Sequence, residues 1–277
     1  MPQPPRNEAD GTMTPSAVLG AMPALAVAKN QLRTQMKQQL KSLPAASVSL
    51  QSAAIHGALL RFPPYADARR VAVFLSMPAA EVQTDAIVRH ALAAGKQVFV
   101  PYLHKPAATI AADDYIPPRV MDMVQLHDLA DYEALERDRW GIPSVSASSV
   151  PTRTRVLGDD PREGETSEGG EGKRSLSALD LILMPGVAFD VHPETRRIHR
   201  CGHGRGFYDY FLHRYALKMA AAVPPPSQAV CLYGLALSEQ VLPAHSVPVG
   251  PHDQPLDGLI TGDGAIITPE AGANTNQ

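Results

Sequence analysis

Thiols are nearly missing from this chain: Cys201 and Cys231 are the only two among 277 residues. That excludes a disulfide-stapled secreted framework. It also excludes a cysteine-rich zinc fold, because neither thiol has a second one at ligand spacing. An excess of charge is missing too. The net charge of −3 leaves no basic footprint of the kind nucleic-acid binders carry. No apolar run approaches the roughly 18 residues that a membrane span requires. The sequence G-x-S-x-G is absent, and so is H-E-x-x-H, so serine-hydrolase and metalloprotease chemistry have no footing. Residues 1–23 lack the apolar block of a secretory signal. With one Arg and two acids they also lack the composition of a mitochondrial transit peptide. They are expected to form a disordered tail on a cytoplasmic protein.

What is present suffices for a large core. Hydrophobic residues make up 44% of the chain, enough for one large α/β domain or two small ones. Residues 24–42 carry Leu25, Leu32, Met36 and Leu40 on one face. Lys29, Arg33, Lys37 and Lys41 recur every fourth residue on a neighbouring stripe, which predicts a helix ended by Pro44. A second helix is expected over 47–60. The runs 71–75 (VAVFL) and 96–102 (KQVFVPY) flank a helical stretch from Asp85 to Ala93 closed by Gly95. That spacing predicts a right-handed βαβ unit in a parallel sheet. Further apolar runs at 179–184, 229–237, 258–261 and 265–268 extend the sheet, and 121–126 is a weaker edge candidate.

The predicted fold is therefore α/β: a single open, mostly parallel sheet flanked by helices, Rossmann-like and three-layered, with a disordered insertion. One domain spans 24–268. Residues 144–177, rich in Ser, Gly, Pro and charge, form the insertion, because they hold too little apolar surface to offset ordering entropy. Residues 269–277 form a tail.

The stretch 179–215 organises the rest. An apolar run is broken by Pro185-Gly186. After a charged, turn-prone segment come Gly202, Gly204 and Gly206 on alternate positions, and then a helix opening at Phe207-Tyr208-Asp209. Strand, glycine-rich turn and helix start together make an anion site, because backbone N–H groups converge where the helix adds partial positive charge. Arg200, His203 and Arg205 add cations. The spacing is neither G-x-G-x-x-G nor G-x-x-x-x-G-K-[ST], and a flexible surface turn with scattered cations is the competing reading. Asp209 in the first helical turn and Asp253 in a distant polar loop are the carboxylates able to hold Mg²⁺ against nucleotide phosphates. A helix-dipole role and an Asx-turn are their plainer alternatives. Glu81 lies just past a strand's carboxyl end, where ligands collect. Trp140, the only tryptophan, sits in a loop beside Gly141 and Pro143, suited either to packing or to walling a flat ligand.

Taken in order, the residues FLSM (74–77), EVQT (81–84), WGIP (140–143), MPGVAFD (184–190), RCGHGRGFYD (200–209) and HDQPLD (252–257) resemble the 5-formyltetrahydrofolate cyclo-ligase family, also called methenyltetrahydrofolate synthetases. The resemblance covers roughly 29–261. It implies ATP- and Mg²⁺-dependent closure of 5-formyltetrahydrofolate to 5,10-methenyltetrahydrofolate through a phosphorylated formyl group, with release of ADP and phosphate. Carried over by position, Lys29, Arg33 and the segment Arg200, Gly202, His203, Gly204, Arg205, Gly206, Phe207 and Tyr208 bind ATP. Arg205 and Tyr208 are the catalytic candidates. Asp209 and Asp253 hold Mg²⁺, while Leu75, Met77, Glu81, Trp140 and Phe207 form the folate pocket. The expected partner is a folate, with or without polyglutamate, bound to a monomer that engages neither nucleic acid nor membrane. A non-catalytic nucleotide- or phosphate-binding regulator on the same fold is the alternative.

Overall fold

The computed structural model describes residues 15–106, 118–158 and 178–268, with side chains from Ala24 onward. Its centre is a seven-stranded sheet. In chain order the strands are β1 (Arg70–Val73), β2 (Gln97–His104), β3 (Val120–Gln125), β6 (Leu181–Met184), β9 (Cys231–Ala236), β10 (Gly258–Thr261) and β11 (Ile266–Ile267). Across the sheet they run β11-β10-β9-β6-β1-β2-β3. The five inner strands are parallel, and β3 and β11 close the edges antiparallel. Two small hairpins stand outside the sheet, β4 (Glu136–Arg137) with β5 (Pro143–Ser144) and β7 (Ala188–Val191) with β8 (Ile198–Cys201).

Both faces of the sheet are buried, which is why its strands read as continuous apolar runs. In β6, Leu181 and Leu183 enter one core, and Ile182 and Met184 enter the other. The first core is covered by α2 (Ala45–Leu60), α3 (Pro63–Asp67) and α4 (Asp85–Ala93), through Ile55, Leu59, Tyr65 and Ile87. The second is covered by α6 (Phe207–Ala220), through Phe211, Leu212 and Tyr215. The short α5 (Leu129–Glu133) is capped by Asp128, whose carboxylate accepts from the Asp131 N–H at 2.8 Å. A third, smaller cluster joins Met36 of α1 (Pro15–Lys41) to Val187, Ala188, Cys201 and Val247. It seats the first helix beside the β7–β8 hairpin.

Two expectations fail here. The first helix begins at Pro15 rather than at residue 24, so 15–23 belong to it and not to a tail. Pro23 argued for a boundary, but the surrounding alanine-rich sequence favours helix, and Pro15 suits a first helical position. Residues 1–14 of that expected tail lie outside the described residues. The expected insertion over 144–177 is also too long. Val145, Val150, Val156 and Leu157 are buried. Arg153 pairs with Asp131, and Arg155 donates to Asp122 at 2.9 Å. Scattered valines spaced around a short 3₁₀ turn at Val150–Thr152 supply anchors that bulk composition hides. Residues 159–177, and the tail 269–277, lie outside the described residues.

Chain connectivity marks the switch point of the sheet. From β1 the chain crosses through α4 to β2 on one side. From β6 it crosses through α6, on the opposite face, to β9 on the other side. The order reverses between β1 and β6, and in open parallel sheets a crevice opens at that point beyond the strands' carboxyl ends. The loops leaving β1 and β6 are the ones carrying Glu81 and the three glycines.

Candidate active site

The loop after β6 turns back through the β7–β8 hairpin before reaching the glycines. That hairpin was read from the sequence only as a turn-prone segment. Its inward Asp190, fully buried, accepts from the Val247 N–H at 2.8 Å and from His199 Nδ1 at 3.0 Å. The Val247 bond ties the 242–257 loop to the hairpin, and the His199 bond braces the hairpin itself. Ile198 and Leu256 extend the tie by a backbone bridge. Asp253 is thereby brought to the same edge as Gly202–Gly206.

Gly204 and Gly206 have φ of 93° and 67°, the left-handed region that L side chains rarely adopt. A Cβ on Gly204 would also lie 3.1 Å from the Arg33 guanidinium carbon. The bend therefore needs glycine for both shape and room. Gly206 caps the start of α6 without a side-chain bond, so the first N–H groups of that helix remain available to an anion.

The cationic stripe of α1 faces this bend, and its members do different work. Lys29 Nζ donates to Asp253 Oδ2. Arg33 donates from Nε to the Gly202 carbonyl at 2.8 Å and from Nη1 to Asn30 Oδ1 at 2.7 Å. Arg33 thus straps the glycine backbone in place, a role its spacing did not foretell. Arg200 is buried, and its Nη2 lies 3.1 Å from both oxygens of Asp209. Asp209 Oδ1 also accepts from the Gln254 N–H at 3.2 Å, so the two predicted metal ligands reach one short stretch, 253–254. Arg205 is exposed and makes no side-chain bond among the described residues. The His203 imidazole, exposed at one edge, is pulled below its usual pKa by partial burial and then by Arg200, Arg33 and Lys37.

Across the crevice the chemistry changes. Glu81 is 6% exposed. Burial pushes its carboxyl pKa up to about 7, against the pull of the Met77 N–H, which donates to it at 3.0 Å. Among the described residues no cation pairs with it. Gln83 closes the turn by donating to the carbonyls of Met77 at 2.9 Å and Glu81 at 2.8 Å. Leu75 is buried and Met77 half-buried on the same loop. Trp140 stands 62% exposed, with Arg139 over its ring at 5.0 Å. Its loop is nevertheless fixed. Asp138 accepts from the N–H groups of Trp140 at 2.8 Å and Ile142 at 3.0 Å, and Gly141, at φ 78°, comes so close to Pro78 that a Cβ would lie 2.8 Å from its ring. Trp140 is therefore held beside the Glu81 loop.

Tyr208 joins the halves. It packs against both cores, and its ring lies under the Arg200 guanidinium at 5.5 Å. Its buried hydroxyl has no partner among the described residues. Burial raises its pKa far above the usual value, with Arg200 pulling down and Glu81 pushing up, so the phenol stays protonated and able to donate. The half-buried Phe207 precedes it. Direct contacts tie Lys29, Arg33, Arg200, Gly202, Asp209 and the 253–254 stretch into one cluster, and Gly141 sets the Trp140 loop against Pro78 of the Glu81 loop. Asn30, which accepts from Arg33, Gln83, which donates to two carbonyls, and Gln254, whose backbone N–H donates to Asp209, were missed or unassigned, because single polar contacts of this kind leave no periodic signal.

No cluster of three or more His, Cys, Asp or Glu able to hold a metal occurs among the described residues. Two carboxylates beside a phosphate cradle do match the protein's share of a magnesium–nucleotide site, where phosphates and water complete the shell. Among the described residues no single helix is long and apolar enough to cross a membrane.

Comparison with known proteins gives the family and the fold. The model of the 5-formyltetrahydrofolate cyclo-ligase family matches residues 26–262. A Schizosaccharomyces pombe protein described as a probable 5-formyltetrahydrofolate cyclo-ligase is 29% identical over 243 residues, covering 87% of this chain and 98% of its own. The 5-formyltetrahydrofolate cyclo-ligase of Saccharomyces cerevisiae is 28% identical over 248 residues, covering 86% and 97%. The solved structure of Aquifex aeolicus 5,10-methenyltetrahydrofolate synthetase superposes with a TM-score of 0.57 at 20% identity, covering 90% of this chain and 96% of that one. It shares the fold.

Proposed function

The chain belongs to the 5-formyltetrahydrofolate cyclo-ligase family, and from that premise we propose that it converts 5-formyltetrahydrofolate and ATP to 5,10-methenyltetrahydrofolate, ADP and phosphate with Mg²⁺. The observation that carries this reading is the pairing of two unlike half-sites through Tyr208. One is a cationic glycine cradle with two carboxylates. The other is the loop after β1, where buried Leu75 and half-buried Met77 accompany a single buried acid, Glu81.

The reaction needs both halves. A formyl oxygen on nitrogen is a poor leaving group. In the proposed sequence that oxygen attacks the γ-phosphorus and ADP departs, leaving an imidate-like phosphate ester. The N10 lone pair then attacks the formyl carbon, its proton is lost, and the C–O bond breaks to release phosphate. Magnesium, when bound, neutralises phosphate charge, and Asp209 and Asp253 would hold it. Arg205, uncommitted at the lip, is the cation free to follow the transferring phosphoryl group. Tyr208, protonated, donates toward the oxygen being phosphorylated. Glu81 accepts hydrogen bonds from the pterin, and Leu75, Met77, Phe207 and Trp140 enclose the rings. Arg33 keeps the glycine backbone in register, and Lys29 and Arg200 supply phosphate contacts.

We assign the substrate as the folate with or without a polyglutamate tail, and the working unit as a cytoplasmic monomer. The test is spectroscopic. Purified protein with Mg-ATP and 5-formyltetrahydrofolate should raise near-ultraviolet absorbance as the methenyl product forms, and ATP should be consumed only when the folate is present. Nucleotide binding with an unchanged formyl substrate would overturn the reading and favour a regulator.

A further inference from the structure

The groups assigned to metal and triphosphate are, in this structure, one another's partners. Lys29 bonds Asp253, and Arg200 spans Asp209. The four side chains are 16% and 24% exposed in the first pair, and 3% and 24% in the second. Each carboxylate has a backbone donor besides its cation: Gly250 N–H at 2.6 Å for Asp253, and Gln254 N–H at 3.2 Å for Asp209. Arg200 Nη1 reaches the Pro185 carbonyl at 3.4 Å, and its buried Nε has no partner among the described residues. Arg33 is committed to Gly202 and Asn30. Among the described residues, Arg205 and Lys37 are the cations of this region with no side-chain bond.

This arrangement treats three ligands differently. Metal-free triphosphate must draw Lys29 and Arg200 from Asp253 and Asp209, leaving two half-buried carboxylates bare beside new negative charge. A metal ion alone must expel the same two cations. Metal and triphosphate together let every group change partner at once, carboxylates to metal and cations to phosphate, with no charge left unpaired. We propose that Lys29 and Arg200, by pairing with Asp253 and Asp209, make this site select metal-bound over metal-free nucleotide. The inference rests on the function proposed above and names the residues that set its nucleotide specificity.

The experiment is calorimetry on the full chain with ATP in chelator, with Mg-ATP and with Mg²⁺ alone. Wild-type protein should bind Mg-ATP at least about fivefold more tightly than metal-free ATP, the lower end of ordinary coupling between ligands. Asp253→Asn keeps an acceptor for the Gly250 N–H but frees Lys29. It should tighten metal-free ATP while weakening Mg-ATP, so that the preference collapses. Asp209→Asn, by releasing Arg200, should likewise tighten metal-free ATP and weaken Mg-ATP, and thermal melts confirm that each variant folds. Equal wild-type affinity for the two nucleotide forms overturns the proposal, as does weakening of both forms in the asparagine variants. These results would leave the ring-closing assignment standing if wild-type protein still binds and turns over Mg-ATP. Failure of wild-type protein to bind Mg-ATP at all overturns both readings.

Discussion

The two halves of the crevice manage charge in opposite ways. On the glycine side, cations and carboxylates are abundant and matched in pairs, and much of the surface is open to water. On the Glu81 side, one carboxyl group is buried with a single backbone donor and, among the described residues, no paired cation. A polyanion is best met by groups that already carry partners and exchange them at modest cost. A flat heterocycle with N–H donors is best met by an acceptor stripped of water beforehand. The first half gains specificity from charge count, and the second from desolvation. Variants in the two halves should therefore fail differently.

The largest effect is expected from Asp209→Ala. It leaves the buried Arg200 guanidinium without its carboxylate, so stability should fall by about 2–3 kcal/mol in denaturant titrations. Catalytic efficiency should fall on the order of 10³-fold, at the level of a lost electrostatic stabiliser. Retained turnover with normal Mg-ATP affinity would remove Asp209 from the nucleotide half.

Glu81→Gln should separate stability from function in the other half. The carboxyl pKa is raised in the folded state, to about 7, from an ordinary unfolded value near 4.5. The folded protein then binds the proton more tightly. That stabilisation is complete below the unfolded pKa and is lost as pH rises through about 7. Glutamine escapes this loss while keeping an oxygen for the Met77 N–H. The variant should thus be more stable than wild type at pH 8, by about 3 kcal/mol at most, and nearly equal at pH 4.5. Folate use should fall about 10- to 100-fold, the worth of a charged hydrogen-bond acceptor. Denaturant titrations at the two pH values, with steady-state kinetics, check both halves of the claim.

The same contrast explains what could be read in advance. The parallel sheet was legible because strands buried on both faces must be apolar without interruption, as 71–73 and 181–184 are. The glycine bend was legible because left-handed backbone at 204 and 206 restricts residue choice. The hairpin around Asp190 was not, since its strands are four residues long and one inward position is an acid satisfied by a loop some 57 residues away in sequence. The partners of Arg33 and Arg200 were not legible: the sequence shows a cation near a cradle, but not whether a carbonyl or carboxylate already holds it. The packed stretch 145–158 was lost in an average dominated by its Ser and Gly neighbours. Long-range pairing of polar groups is the common element in these misses.

Tyr208→Phe tests the junction. The hydroxyl is buried and unpartnered among the described residues, so removing it should leave stability unchanged or raise it by about 1 kcal/mol, since a desolvated donor without an acceptor is a cost to the fold. If the phenol donates to substrate during the reaction, kcat should fall by about tenfold with little change in the affinity for Mg-ATP. A drop in stability with unchanged kcat would show that the hydroxyl serves the fold, and the two halves would then meet only through packing.

The smallest effect is expected from Trp140→Ala, and it sharpens the comparison most directly. The indole is 62% exposed and its loop is held by Asp138 and by contact with Pro78, so the loop does not depend on the ring. Stability should change by less than about 0.5 kcal/mol. If the ring walls the folate pocket, KM for the folate should rise by about two- to tenfold, the worth of an aromatic contact, while KM for ATP stays constant. A change confined to ATP would move Trp140 to the other half-site. No change in either constant would make the exposed ring incidental, and Glu81 would then carry recognition on that side without an aromatic wall.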